Sequence, residues 1–148
     1  MTTTTTDTRT LVIERQLPQS PTIIWQALTD SALIERWLMK NDFAPVVGRT
    51  FTFRAAPQPY WNGITDGEVL AVEPERRLSY RWNASGEEAA TGVKTIVDWT
   101  LTPASGGTRL RLEQSGFRPD QEANYQGAMY GWTNFLAALE RVVAASEK

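Results

Sequence analysis

Alternating apolar and polar residues predict β-strands through most of the middle of the chain. Before them, Leu11, Ile13 and Leu17 share one face at a period of two, which predicts a first strand that Pro18 ends. Four later stretches alternate in the same way, with apolar members Phe51 and Phe53; Leu78, Tyr80 and Trp82; Val97, Trp99 and Leu101; and Leu110 and Leu112. A repeated pattern of one apolar and one polar face is typical of an antiparallel sheet covered on one side only.

Helical spacing predicts two short helices after the first strand and one long helix near the C-terminal end. Ser20 and Pro21 suit an N-cap and a first helical position, and Asp30 suits the cap of the second helix. The last segment, about residues 120 to 145, carries one apolar stripe formed by Tyr125, Met129, Trp132, Leu136, Leu139 and Val143. This helix, at ~38 Å, is long enough to cross a small sheet.

A turn at residues 73–76, with Pro74 at its second position, predicts the register of one hairpin. The register sets Leu78 opposite Ala71, Tyr80 opposite Val69, Trp82 opposite Gly67 and, on the other face, Glu68 opposite Arg81. A glycine opposite a tryptophan leaves room for the ring. Leu70, Val72 and Ile96 then fall on the outer face, which indicates either a contact patch or a register that is off by one.

The register of the following hairpin depends on charge. Trp99 can face Leu110 or Leu112. The first choice places Asp98 opposite Arg111, and the second places it opposite Glu113, which is repulsive. We therefore expect Trp99 opposite Leu110.

A sheet with one apolar face and a helix with one apolar stripe bury those surfaces most simply against each other. The predicted architecture is α+β: a curved antiparallel sheet of about six strands wraps around the long C-terminal helix, and two short helices lie between strands 1 and 2. We expect a disordered tail over residues 1–9 and a single domain over residues 10–146. Sheet curvature leaves a gap between sheet and helix, which is either filled by side chains or forms a cavity.

Several short motifs occur in an order that is more informative than any one of them. They are Ile13-Glu14-Arg15, the segment 21–30, Leu33-Ile34-Glu35-Arg36-Trp37, Gly67-Glu68-Val69, the segment 74–78, and Gly131-Trp132 with Leu136 and Leu139. Over about residues 10 to 145 the chain resembles the START-like, or helix-grip, superfamily, and most closely its family named after activators of the 90-kDa heat-shock protein ATPase. The superfamily includes lipid carriers, hormone receptors, aromatic cyclases and co-chaperone domains, so the resemblance predicts the fold more strongly than the function.

Composition excludes several kinds of chemistry. The 148 residues include no Cys and no His, which excludes disulfides, thiolate nucleophiles, Cys/His zinc sites, haem ligation by His and Ser-His-Asp triads. We expect no metal and no cofactor. The acids Glu14, Glu68, Asp98 and Glu113 fall on the outer face, three of them near arginines, which indicates cross-strand pairs rather than catalytic carboxylates.

Charge and hydropathy limit the partners. The net charge is −2 and no basic stripe is present, so nucleic-acid binding is not expected. The apolar runs are far shorter than the ~20 residues of a membrane span. Residues 1–10 lack the apolar core of a secretory signal, which favours the cytoplasm. We expect a monomer or a weak dimer.

Aromatic residues dominate the candidate site. The 6 Trp, 5 Phe and 4 Tyr exceed what a core of small and branched residues needs, and ligand pockets are mostly apolar and aromatic. The candidate ligand-binding residues are Arg15, Trp37, Phe51, Phe53, Trp61, Tyr80, Trp82, Trp99, Gln114, Tyr125, Met129 and Trp132. Taken singly, each aromatic is better explained as a core residue, and Arg15 as a solvated residue at the rim; only the set of aromatics favours a cavity.

Two further features bear on the cavity. The loop over residues 57–63, which contains Trp61, is either a lid over the cavity or part of the edge of the core. Gly127 and Gly131 lie inside the long helix, where each glycine lowers helix stability by ~1 kcal/mol relative to alanine. Close approach of the helix to the sheet beside Trp82 or Trp99 is the expected reason, and a kink that opens the cavity is the alternative.

Three functions fit these observations. The first is non-catalytic binding of a small apolar or aromatic molecule between the sheet and the C-terminal helix. The second, which the resemblance implies, is a chaperone-interacting module, although the chain has only one domain whereas the eukaryotic co-activators carry an additional N-terminal domain. The third is a polyketide cyclase-like enzyme, in which Arg15 or Tyr80 would act in place of the missing histidine.

Overall fold

One antiparallel sheet and three helices make up the computed structural model, which describes residues 8–56, 63–84 and 92–146. The seven strands lie in the order β1-β7-β6-β5-β4-β3-β2. The elements are β1 (Arg9–Leu17), α1 (Pro21–Thr29), α2 (Ser31–Trp37), β2 (Lys40–Asn41), β3 (Thr50–Arg54), β4 (Ile64–Glu73), β5 (Arg77–Ala84), β6 (Lys94–Ala104), β7 (Gly107–Phe117) and α3 (Glu122–Ser146). The predicted α+β architecture is confirmed.

The two short helices join opposite edges of the sheet, because β1 lies at one edge and β2 at the other. Ser20 caps α1 by accepting a hydrogen bond from the N–H of Ile23, with Pro21 in the first turn. Asp30 caps α2 by accepting from the N–H groups of Ala32 and Leu33. Both predicted caps are confirmed, and they set where the chain turns at each helix.

The sheet has one strand more than expected because β2 is only two residues long, Lys40–Asn41. A two-residue strand shows no periodicity, so the sequence pattern could not indicate it. Asn41 fixes it in place: its side-chain N–H donates to the carbonyl oxygens of Ser31 and Met39, and its Oδ1 accepts from the N–H of Phe43.

The hairpin of β4 and β5 follows the predicted register up to a bulge. Tyr80 faces Val69, and both Trp82–Gly67 and Arg81–Glu68 pair as expected. The register shifts between Val69 and Ala71, so Leu78 faces Val72 and not Ala71. The bulged residue is Leu70, and beyond it Val72 turns towards the core, which corrects its expected place on the outer face.

The predicted register of β6 and β7 is wrong by two residues. Trp99 faces Leu112, and Asp98 faces Glu113. Neither carboxylate is left uncompensated: Arg77 from β5 contacts Asp98 at 2.8 Å, and Arg111 contacts Glu113 at 3.5 Å. Pair rules consider only the two facing residues, whereas here arginines beside the pair supply the balancing charge.

Helix α3 crosses the apolar face of the sheet, and the core lies between them. The inner-facing residues of β6 and β7, Val97, Trp99, Leu101, Leu110 and Leu112, are buried. They meet Trp132, Leu136, Leu139, Val142 and Val143 from the second half of α3, which are buried as well. In the described parts of the chain no helix is both long enough and apolar enough to cross a membrane.

Candidate functional site

The inner face of the sheet carries a continuous aromatic cluster. Its members are Trp37, Phe43, Phe51, Phe53, Tyr80, Trp82, Trp99, Trp132 and Phe135, and neighbouring ring centroids lie 5.0–6.0 Å apart. Most contacts are edge-to-face, the geometry that aromatic quadrupoles favour. Trp132 touches both Trp82, at 5.1 Å, and Trp99, at 5.6 Å. The indole rings themselves therefore occupy the space where these three tryptophans meet.

Sequence analysis missed Phe43 in this cluster. It follows β2 in a stretch rich in Pro and Gly, where no apolar period surrounds it. Phe43 is nevertheless buried and contacts Phe51 at 5.0 Å and Tyr80 at 5.8 Å. Its backbone N–H donates to Oδ1 of Asn41 at 3.0 Å, and its ring contacts come from other strands, so no local period in the sequence indicates its burial.

Gly67 faces Trp82 across the strands, but the ring that it makes room for is that of Phe51. A Cβ placed on Gly67 would lie 2.3 Å from Cζ of Phe51, which belongs to the neighbouring strand β3. The Phe51 ring thus lies directly over the Gly67 backbone, which is where a side chain would otherwise project. This placement brings Phe51 to within 5.4 Å of the ring of Tyr80.

The polar groups of the inner face bond to one another. The indole N–H of Trp132 donates to Oε1 of Gln114 at 2.8 Å, and Nε2 of Gln114 donates to Oγ1 of Thr95 at 2.9 Å. The Thr95 hydroxyl then donates to the carbonyl oxygen of Trp82 at 2.7 Å. Gln114, buried as the alternation of its strand predicted, therefore joins α3 to the sheet.

Tyr80 lies deep in the aromatic cluster. Its hydroxyl oxygen accepts a hydrogen bond from the indole N–H of Trp99 at 3.0 Å. Burial raises the pKa of the Tyr80 hydroxyl above its usual range, and the bond from Trp99 offsets only part of that shift. The hydroxyl is therefore neutral throughout the physiological pH range.

Arg15 lies apart from the aromatic cluster. Its side chain is partly exposed, donates to the carbonyl oxygen of Glu14 at 2.9 Å, and lies 3.9 Å from the carboxylate of Glu140 near the end of α3. Leu11 on β1 lies in one row of the sheet with Gln114, Val97 and Tyr80, and Tyr80 is three strands away from β1. Arg15 is four residues further along β1 than Leu11. Strand spacing and the rise per residue place the Cα atoms of Arg15 and Tyr80 roughly 20 Å apart, so the structure does not bring them into one site.

The two halves of α3 are buried to very different degrees. Trp132, Leu136, Leu139, Val142 and Val143 are buried, whereas Phe135 and, in the first half, Tyr125, Ala128 and Met129 are only partly buried. A Cβ placed on Gly127 would meet no atom within 4 Å, and one on Gly131 would meet only the Phe135 ring at 3.8 Å. The expected close approach of the helix at these glycines is therefore wrong: Gly127 is exposed, and neither glycine packs against the sheet.

Trp82 on the sheet and Tyr125, Ala128, Met129 and Phe135 on α3 together present partly exposed apolar surface beside the core, and we call this surface the cleft. All five residues pack against the core and are only partly buried. Trp82 meets Trp132 at the inner end of the cleft. The predicted site residues Trp82, Tyr125 and Met129 therefore line the cleft, whereas Trp37, Phe51, Phe53, Tyr80, Trp99, Gln114 and Trp132 lie in the packed layer beneath it. Trp61 and its predicted lid lie outside the described residues.

One rim of the cleft is held by Arg9, the first residue of β1. Its guanidinium carbon lies 3.8 Å from the centroid of the Tyr125 ring, a cation–π contact, and its side chain also pairs with the carboxylate of Glu122. Tyr125 in turn packs edge-on against Phe117 at 5.5 Å. These contacts tie the first turn of α3 to the edge of the sheet.

The outer-face acids pair with arginines as expected, although Asp98 pairs with Arg77 and not with Arg111. Glu68 pairs with Arg81, Glu14 with Arg111 and Asp98 with Arg77. Hydrogen bonds from Arg111 to Glu14 and Glu113 raise the pKa of its guanidinium. Among residues 8–56, 63–84 and 92–146, no group of acids is arranged to hold a metal ion.

Comparison with known proteins identifies the family of the chain. The model of the family described as "Activator of Hsp90 ATPase homolog 1-like protein" matches residues 18–144. The chain belongs to this family. No curated protein matches the sequence at a significant level.

Solved structures of several bacterial proteins share the fold. The protein MLL2253 from Mesorhizobium loti is 50% identical, with a TM-score of 0.85, over 93% of this chain and 98% of that one. Mll3558 from Rhizobium loti is 26% identical, with a TM-score of 0.75, over 92% of this chain and 97% of that one. CalU16 from Micromonospora echinospora is 23% identical, with a TM-score of 0.74, over 95% of this chain and 79% of that one, a likeness of fold alone.

Proposed function

We propose that this domain binds a small, largely apolar or aromatic molecule in the cleft between the sheet and the first half of α3. The change in burial along α3 carries the proposal. Its second half is packed against the sheet, while Tyr125, Ala128 and Met129 present apolar surface that is only half-covered. A ligand that covers this surface gains ~25 cal/mol for each Å² of apolar area removed from water.

The chemistry of the inner layer favours an apolar ligand. Gln114, Thr95 and the indole N–H groups of Trp99 and Trp132 are already hydrogen-bonded within the protein. A strongly polar ligand would leave its own groups unpaired against the rings, which is unfavourable. Aromatic ligands can instead continue the edge-to-face packing that Trp82 and Trp132 begin.

The placement of the ionisable groups favours binding over catalysis. The carboxylates Glu14, Glu68 and Asp98 are paired with arginines on the outer face of the sheet. Tyr80 keeps its proton because burial raises its pKa, and Arg15 lies roughly 20 Å from it. A cyclase-like mechanism would need Arg15 or Tyr80 at the bound molecule, but Tyr80 lies in the packed layer beneath the cleft and Arg15 lies apart from the aromatic cluster.

A thermal-shift screen with sterols, fatty acids, flavonoids and polyketide-like aromatics tests the proposal. A ligand at one hundred times its Kd stabilises the folded state by ~2.7 kcal/mol, which raises Tm measurably. Ala128→Phe fills the cleft and should abolish the shift. Ala137→Phe is the matched control, because Ala137 lies on the exposed side of the same helix, and it should leave the shift unchanged.

Two outcomes would contradict ligand binding in the cleft. One is the absence of a shift with every compound class. The other is a shift that survives Ala128→Phe. The family description names an activator of the Hsp90 ATPase, so capture of Hsp90 that is unaffected by Ala128→Phe, together with no ligand response, would favour a chaperone-interacting module instead.

A further inference from the structure

A second hollow lies on the outer face of the sheet, on the side away from α3. Its volume is about 310 Å³, and its lining includes Arg81, Asn83, Lys94, Ile96, Ser115 and Gly116. None of these residues belongs to the cleft under α3. The hollow is therefore separate from the ligand site proposed above.

Strand register brings these side chains together. Arg81 faces Ile96, and Ile96 faces Ser115, so the three lie in one row across β5, β6 and β7. Asn83 faces Lys94 in the next row on the same face. Adjacent strands lie ~4.8 Å apart, which places the cation of Arg81 and the hydroxyl of Ser115 on opposite sides of the apolar side chain of Ile96.

A bulge at Gly116 shapes this end of the hollow. Arg9 pairs with Phe117 and Thr10 pairs with Ser115, so Gly116 has no partner on β1. Its φ of +107° suits glycine, and a Cβ there would lie 2.9 Å from the carbonyl oxygen of Lys94. The backbones of β6 and β7 therefore approach closely here, beside the base of the Lys94 side chain.

Two cationic side chains, Arg81 and Lys94, line the hollow in a chain whose net charge is −2. Lys94 has no ion-pair partner among residues 8–56, 63–84 and 92–146. Arg81 contacts Glu68 at 3.5 Å through Nε, and both side chains are nearly half exposed. Among the residues that the structure describes, no carboxylate lines the hollow and the Ser115 hydroxyl has no hydrogen-bond partner.

We propose that this hollow binds the phosphate group of a small organic phosphate. A phosphate dianion matches the two cations, its oxygens can accept from the guanidinium N–H groups of Arg81 and from the Ser115 hydroxyl, and Lys94 supplies the second charge. Ile96 provides an apolar surface for the carbon body of the ester. The site needs no metal and no movement of α3.

Titration calorimetry, with amide NMR to locate the binding, tests this assignment. Glycerol 3-phosphate should saturate the protein, shift the amide signals of Ile96, Ser115 and Gly116, and bind more tightly than inorganic phosphate because of the contact with Ile96. Lys94→Gln and Arg81→Gln should each weaken binding about tenfold, the size expected for losing one charge-assisted hydrogen bond.

Arg109→Gln is the matched control. Arg109 is an exposed arginine on the outer face of the same strand β7, at its other end, and its removal changes the net charge equally. The proposal is overturned if Arg109→Gln weakens binding as much as Lys94→Gln does, since the effect is then non-specific charge. It is also overturned if the ester binds no better than inorganic phosphate, or if the amide shifts fall elsewhere.

Discussion

The indole N–H of Trp132 on α3 donates to Oε1 of Gln114 on β7 at 2.8 Å, and both residues are buried. This bond is a buried polar link between the long helix and the sheet. Since Nε2 of Gln114 also donates to Thr95, one amide side chain satisfies a group on the helix and a group on the next strand. The linkage lies where α3 changes from packed to half-exposed, so it marks the inner limit of the cleft.

Gln114→Ala should therefore destabilise the domain strongly. The substitution leaves the Trp132 N–H buried without an acceptor, and an unsatisfied buried group lowers stability by about 1–3 kcal/mol, in addition to the cavity it leaves. We expect the free energy of unfolding in urea to fall by ~3 kcal/mol. Gln16→Ala is the control: Gln16 is exposed on the outer face of β1, and the change should stay within about 0.5 kcal/mol.

A double-mutant cycle separates the hydrogen bond from packing. Trp132→Phe removes the donor but keeps an aromatic ring. Gln114→Ala should therefore lower the free energy of unfolding less in the Trp132→Phe variant than in the unsubstituted protein. Equal losses in the two backgrounds would show that the Trp132–Gln114 bond contributes nothing. The destabilisation would then come from the volume of Gln114 alone.

The facing carboxylates Asp98 and Glu113 show a limit of reasoning from the sequence. Local signals predicted the strands, the caps and α3, because each depends on residues close together in the chain. The register of β6 and β7 depends instead on Arg77 from a third strand, which compensates Asp98 at 2.8 Å. A pairwise charge rule applied to two strands cannot include that third partner.

Arg77→Gln should expose the repulsion between Asp98 and Glu113. We expect a loss of ~1 kcal/mol in the free energy of unfolding at low salt, decreasing as salt screens the two carboxylates. The neighbouring Arg76 is exposed and makes no ion pair among the described residues, so Arg76→Gln should have a much smaller effect. A loss for Arg77→Gln that does not depend on salt would argue against electrostatic compensation.

The sequence predicted an apolar and aromatic interior but not the position of the cleft. The aromatic excess and the inner-face parity predicted an apolar interior, and most of the expected rings do lie there. Whether those rings fill the interior depends on how far α3 stands from the sheet, which no side-chain pattern encodes. Gly127 was expected to face the sheet closely, yet it is exposed and packs against no other element. The burial of Phe43 was not predicted for a similar reason, since it depends on tertiary contacts.

Tyr80 predicts an alkaline limit to stability. Burial raises its pKa in the folded protein, whereas a tyrosine in the unfolded chain loses its proton near pH ~10. The unfolded state then binds fewer protons than the folded state, so the free energy of unfolding should fall above pH ~10, by up to ~1.4 kcal/mol per pH unit. Below that pH the contribution should be constant.

Urea unfolding at a series of pH values measures this slope. Tyr80→Phe should flatten the decline above pH ~10 and, at neutral pH, lower stability by ~1–2 kcal/mol because the Trp99 N–H loses its acceptor. Tyr130→Phe, at an exposed position on α3, should leave the decline intact. A decline that persists unchanged in Tyr80→Phe would assign the alkaline sensitivity to another group.

Gly67 and Phe51 provide a steric test of the aromatic cluster. Because a Cβ on Gly67 would lie 2.3 Å from the Phe51 ring, Gly67→Ala must displace the ring from its contacts with Phe53 and Tyr80. Overpacking of this kind lowers stability by about 1–3 kcal/mol. Phe51→Leu shortens the side chain over Gly67, so in the Phe51→Leu variant Gly67→Ala should lower the free energy of unfolding much less. If the two changes are simply additive in urea unfolding, the alanine is accommodated by backbone movement, and the packing of Phe51 on Gly67 does not determine the position of the ring.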